Sequence, residues 1–166
     1  VFYDSLDPDI EQAVSEALRV LRGLTSSTRD VELPAYKTLP VVGAEAYTFH
    51  APYFTKTPEL YQPMTRRRLE GGAIVTAAAY IEGRRELDRL RRAVNDVFST
   101  VDVLVTPTTP ILPPTVVDAV ADPGTPPPGG VAPSLRNTQP FDIFGVPSIS
   151  IPCGFVQDGG SELPVG

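Results

Sequence analysis

Residues 101–106, Val-Asp-Val-Leu-Val-Thr, form a near-continuous apolar run of mostly β-branched side chains, closed by Pro107. Such a run reads as a strand covered on both faces, the situation of a strand inside the parallel part of an α/β sheet. A second short strand is expected at 30–34, where Val31 and Leu33 alternate with Asp30 and Glu32 before Pro34. A third is expected at 147–155, with Ile149 and Ile151 on one face and Ser148 and Ser150 on the other. The chain then reaches Leu-Pro-Val-Gly at 163–166, on the way into a further strand.

The helical signals complete the layers. Residues 7–23 carry a full set: Asp7 as cap, Pro8 in the first turn, and Asp9 and Glu11 at the positive end of the dipole. Ile10, Val14, Ala17, Leu18 and Leu21 form one apolar stripe, and Gly23 marks a stop. Residues 38–56 read as helical with Pro52 as a break or kink, and 58–72 as a short helix closed by Gly71 and Gly72. From 74 to 98 two stripes lie on opposite sides of one helix: Ile74, Ala78 and Ile81, then Leu87, Leu90, Val94, Val97 and Phe98. The switch falls at Gly83, so the helix kinks there or its halves bury against different neighbours. Helices alternating with buried strands place the chain in the α/β class.

Residues 107–133 hold nine prolines and form no regular element; at this length the stretch is a cover, a linker or a functional loop. The 166 residues therefore read as a single partial domain, with helices and strands over 1–106, the proline-rich loop over 107–133, and a turn plus core strand over 134–166. The first residue is Val rather than Met, which reads as a start inside a longer protein. Net charge is −6 with no block of five like charges, so a nucleic-acid surface is disfavoured. In the arginine-rich stretch 84–92, Glu86 and Asp88 interrupt the positives, giving the pairs Glu86–Arg89 and Asp88–Arg92 on a solvated helical face. One cysteine excludes an internal disulfide and suits a reducing, cytoplasmic setting. With one histidine beside it, a zinc site is not expected, nor is any other cofactor. No apolar run is long enough to span a membrane.

Several stretches together resemble the amidase signature family: 101–114 (VDVLVTPTTPILPP), 136–155 (RNTQPFDIFGVPSISIPCGF) and 162–166 (ELPVG). Upstream, AEAYTFH at 44–50, TRRRLEGG at 65–72 and AAAYIEGRREL at 77–87 are similar to family stretches as well. The resemblance implies part of an α/β/α fold with a mixed sheet flanked by helices. It also implies acyl transfer from a carboxylic amide by a serine nucleophile, a bridging serine and a lysine base. The Gly/Ser-rich segment that carries those serines is absent, and the only lysines, Lys37 and Lys56, lie outside any family catalytic context. The resemblance thus implies the later portion of an amidase: a piece that shapes a pocket for a small amide substrate but holds no catalytic residue. The alternative is a non-catalytic partner or scaffold related to the transamidation subunit. Sheet and helix faces shaped for absent polypeptide imply self-association, or pairing with a missing N-terminal half.

Three substrate-binding candidates follow. Arg68 lies where glutamine-specific relatives hold a substrate carboxylate with a bidentate arginine, with Arg67 as the alternative assignment; the plainer reading is a surface helix arginine. Thr108 lies just past a strand end, where ligands of α/β sheets collect, and is otherwise an ordinary loop threonine. Asp142 stands where many relatives show Asn, and is otherwise a cap or turn residue. Relatives that act in transamidation carry an aspartate ahead of this region; the stretch 134–138, Ser-Leu-Arg-Asn-Thr, has none, which points to a general amidase. Ser148 and Ser150 read as sheet-face residues rather than catalytic serines, Cys153 as a packed core cysteine, and His50 as a structural histidine. A third functional reading treats 125–133, TPPPGGVAP, as a proline-rich ligand.

Overall fold

The computed structural model describes residues 2–117 and 133–166. Residues 118–132 of the expected proline-rich stretch at 107–133, and with them nearly all of the proposed proline-rich ligand at 125–133, lie outside the described residues. Four long helices come first: α1 (Pro8–Leu24), α2 (Val41–Phe54), α3 (Pro63–Ala73) and α4 (Ala77–Phe98), with a 3₁₀ turn at Pro58–Leu60 before α3. After a second 3₁₀ turn at Pro133–Leu135 come a short helix α5 (Gln139–Phe144) and the strands β1 (Gly154–Asp158) and β2 (Ser161–Val165). The chain separates into two compact units: Val1–Pro34 with Ala93–Gly166, and Ala35–Arg92.

In the first unit α1 forms as its sequence dictates. Asp7 Oδ1 accepts the Asp9 N–H at 3.0 Å, Pro8 opens the helix, and Ile10 and Val14 are buried. Strands β1 and β2 form an antiparallel hairpin whose register runs from Gly154↔Val165 to Asp158↔Ser161. The two-residue turn between them is Gly159–Gly160, both at positive φ (55° and 85°), the geometry that matches the twist of a tight hairpin. Because side chains alternate across a strand, Val156 and Val165 face inward, where they meet Ile10 and Val14 of α1. Burial of each such aliphatic side chain contributes roughly 1.5–3 kcal/mol relative to leaving it exposed. Gly154 allows the close approach: a Cβ there would lie 3.0 Å from the Ala13 Cβ.

In the second unit α2 and α3 cross at glycine. A Cβ on Gly72 would fall 2.1 Å from the Gly43 carbonyl oxygen and 3.0 Å from the Tyr47 Cβ, so only hydrogen fits. That explains why α3 runs through Gly71 and Gly72 to Ala73 instead of stopping at them: the glycine serves packing, not termination. Near the C-terminal end of α2, Tyr61 packs edge-on against His50 and Phe54, with ring centroids 5.6 and 5.4 Å apart.

Helix α4 is one uninterrupted element beginning at Ala77, so Ile74 precedes it and is exposed. Only the second stripe is buried, through Leu87, Leu90 and Val94, while Ile81 is half exposed. Gly83 is a contact position: a Cβ there would meet Val41 Cγ2 at 2.9 Å. Of the two expected ion pairs, Glu86–Arg89 is formed at 2.7 Å.

The strand expectations need correction. Among the described residues the sheet is two-stranded; residues 30–34 and 101–106 form no ladder, and the strand expected at 147–155 begins only at Gly154. A strand exists only through a hydrogen-bonded partner, and these segments have none of that kind here. Several of their apolar side chains are bare: Val103 is 72%, Ile149 86% and Ile151 61% exposed, while Val31 and Leu33 are half-buried. Mixed helices and a small sheet are thus the observed architecture.

Candidate functional site

The segment 105–110 is held by donors and acceptors from distant parts of the first unit. The Tyr3 hydroxyl donates to the Val105 carbonyl at 2.8 Å, and the Asp7 N–H to the Pro110 carbonyl at 2.8 Å. Burial first, and then the Asp30 carboxylate, push the Tyr3 phenol above its ordinary range against an opposing effect of Arg22, which keeps that donor protonated. Asn137, two residues ahead of α5, donates from Nδ2 to the carbonyls of Pro107 at 2.8 Å and Phe2 at 3.0 Å. Its Oδ1 accepts from Arg136 Nε at 3.3 Å. The ring of Phe2 stacks on Phe141 of α5 at 5.6 Å, which brings the start of the chain onto the same anchor.

Thr108 sits at the centre of this segment, half-buried. Its N–H donates to the Gly166 carbonyl at 2.9 Å, and its Oγ1 lies 2.7 Å from Ser150 Oγ. A Cβ on Gly166 would lie 2.7 Å from Ser150 Oγ and 3.3 Å from Thr108 Oγ1, so glycine keeps that side of the hydroxyl pair uncovered.

Asp142 is exposed in the first turn of α5, where a carboxylate complements the helix dipole. It shares the first unit with Thr108; Arg68 belongs to the second unit, exposed on α3, as is Arg67. Its neighbour Arg66 is tied to the 3₁₀ turn, Nη2 donating to the Pro58 carbonyl at 2.7 Å. Lys37 and Lys56 are exposed, and among the described residues neither is hydrogen-bonded to a serine. Among the described residues Ser148 Oγ reaches only the Val146 carbonyl, at 3.5 Å.

Cys153 is half-buried against the α1–hairpin cluster, and burial pushes its thiol up, opposed by its own backbone N–H. A raised thiol holds less thiolate at neutral pH, the reverse of what a nucleophile needs. It borders a shallow depression of about 420 Å³ lined by Asp9, Gln12, Glu16 and Phe155. His50 pairs through Nδ1 with the Tyr61 hydroxyl at 3.1 Å, a structural partnership. Among the described residues no cluster of His, Cys, Asp and Glu suits a metal ion, and no helix is long and apolar enough to cross a membrane.

Nothing in the sequence pattern pairs Ser150 with Thr108 or marks a role for Asn137. Both act across 30 residues or more, a distance no local pattern encodes. The tight Asp-Gly-Gly-Ser turn was legible in principle, as glycines between alternating residues.

A family model described as Amidase matches residues 1–166. An amidase from Pseudomonas putida is 34% identical over 167 residues, covering 95% of this chain and 35% of that protein. A glutamyl-tRNA(Gln) amidotransferase subunit from Chloroflexus aggregans is 31% identical over 195 residues, covering 99% of this chain and 38% of that protein. A solved crystal structure of an amidase superposes with a TM-score of 0.71 at 23% identity, covering 99% of this chain and 38% of that one; this likeness concerns the fold. The chain thus spans little more than a third of the length of the curated relatives it matches, 35% and 38% of these two.

Proposed function

Because the chain belongs to the amidase family, we propose that it is the later portion of an amide hydrolase, walling the pocket in which the C–N bond of a small carboxamide is cleaved. The match over residues 1–166 carries this reading. In the reaction a serine hydroxyl attacks the amide carbonyl, ammonia leaves with the transferred proton, and water releases the carboxylic acid from the acyl-enzyme. The two serines and the lysine base belong to polypeptide outside these residues. The exposed positions of Lys37 and Lys56 support that assignment, as does the pairing of Ser150 with a threonine. Within the first unit Thr108 and Asp142 are the candidates for the pocket wall; on the second unit Arg68 is the candidate to receive a substrate carboxylate. The bare apolar side chains of Val103, Ile149 and Ile151 support packing against further strands of one α/β/α domain.

The test compares the 166-residue chain with the complete enzyme from the reading frame that contains it. Simple primary amides are expected to be hydrolysed by the complete enzyme and untouched by the chain alone. Turnover by the isolated chain, lost on Ser148→Ala, would refute the reading. The 31% identity to a glutamyl-tRNA(Gln) amidotransferase subunit favours a second reading, in which the chain serves in transamidation or as a non-catalytic partner. Ammonia release from glutamine but not from simple amides would select it.

A further inference from the structure

We infer that the hydroxyls of Thr108 and Ser150 form one contact for the substrate's carboxamide group, a subsite that rests on the amide-hydrolase reading above. The pair is 2.7 Å apart, so one hydroxyl donates to the other and, among the described residues, one O–H remains uncommitted. The hydroxyl of Thr108 is placed by its backbone: the Thr108 N–H is held by Gly166 and the preceding carbonyl of Pro107 by Asn137. The pair therefore does not need to be ordered when a ligand arrives, which lowers the entropy cost of binding. Gly166 carries no side chain, and any Cβ there would close on both hydroxyls.

The chemistry of the pair selects its ligand. A joined hydroxyl pair offers one O–H donor and spare lone pairs side by side. A primary carboxamide presents the complement, a carbonyl acceptor beside an N–H donor. An ester presents acceptors alone, so it uses half of the contact. Neither hydroxyl titrates in the working range, so the contact holds at any pH the enzyme tolerates.

The test uses the complete enzyme with matched probes, benzamide and propionamide against methyl benzoate and methyl propionate. Ser150→Ala is expected to raise KM for the amides about fivefold, the equivalent of one hydrogen bond, with kcat within about twofold and KM for the esters raised less than twofold. Ser150→Thr, which restores a hydroxyl, is expected to recover the amide KM. Should Ser150→Ala fail to fold, Thr108→Val keeps the shape and removes the hydroxyl, and the same amide–ester split decides. Equal shifts for amides and esters, or no shift in a variant of unchanged Tm, overturn the inference while leaving amide hydrolysis intact. A wild-type enzyme that hydrolyses none of the amides overturns the amide-hydrolase reading, and the subsite falls with it.

Discussion

Asn137 donates to the carbonyl of Pro107 at 2.8 Å from a side chain only 1% exposed, and the same nitrogen reaches the carbonyl of Phe2 at 3.0 Å. Both protons of one amide group are thus spent on main-chain acceptors. Asn137→Ala strands those acceptors and is expected to destabilise the protein by about 2–4 kcal/mol in chemical denaturation. Asn137→Asp is expected to be no better, because a carboxylate has no proton to give. A loss below about 0.5 kcal/mol for both, the range of ordinary surface substitutions, would show that the clasp has little energetic weight.

Adjacent glycines of α3 are expected to respond with opposite signs. Gly72→Ala places a methyl 2.1 Å from the Gly43 carbonyl oxygen, a backbone atom that cannot rotate away. A loss of about 3 kcal/mol or more is expected, at or beyond the upper end of overpacking. Gly71 has nothing within 4 Å of its missing Cβ, so Gly71→Ala is expected to gain about 0.5–1 kcal/mol from helix propensity. Thermal midpoints of the two variants check the contrast.

Arg68 is exposed, so its replacement leaves the fold unchanged and reports on substrate alone. For a substrate bearing a carboxylate, Arg68→Lys is expected to raise KM about tenfold with little change in kcat, since an ammonium does not reproduce the planar fork. Unchanged KM in both Arg68→Lys and Arg68→Ala would assign Arg68 to the plain helix surface.

Cys153 provides a pH-dependent probe. Burial raises its thiol pKa in the folded state, so the folded chain holds less thiolate than the unfolded chain at the same pH. Iodoacetamide is expected to modify the native protein more slowly than the urea-unfolded one, with the gap closing as pH rises past the folded value. The contribution of the neutral thiol to stability is fully present below the unfolded pKa and is lost as pH climbs through the folded one. Equal alkylation rates in the two states would contradict the burial.

The isolated chain is expected to self-associate. Ile149 at 86% and Val103 at 72% exposure lie in segments that form no ladder of their own, and such edges recruit other chains. Light scattering across a concentration series checks this; a monomer at high concentration would argue against it.

How much was legible depended on the range of the forces involved. Helix α1 was readable almost residue by residue, since Asp7, Pro8 and the Ile10–Val14 stripe act within a few positions of each other. The strand at 101–106 was read from composition, but composition states only a preference for being covered, and ladder formation needs a partner the sequence does not name. Gly72 was mistaken for a stop because a close helix crossing and a helix end call for the same residue. Thr108 was singled out in the sequence, while its partners Ser150 and Gly166 became visible only in three dimensions.

The clasp formed by Tyr3, Asn137 and the 105–110 segment joins positions 102 and 135 residues apart. During synthesis, then, α1 emerges from the ribosome well before the β1–β2 hairpin that packs against it. The unit spanning Ala35–Arg92 is continuous along the chain and is complete first. Within these residues α1 must wait for the β1–β2 hairpin, and during that interval Ile10 and Val14 lack the cover of Val156 and Val165.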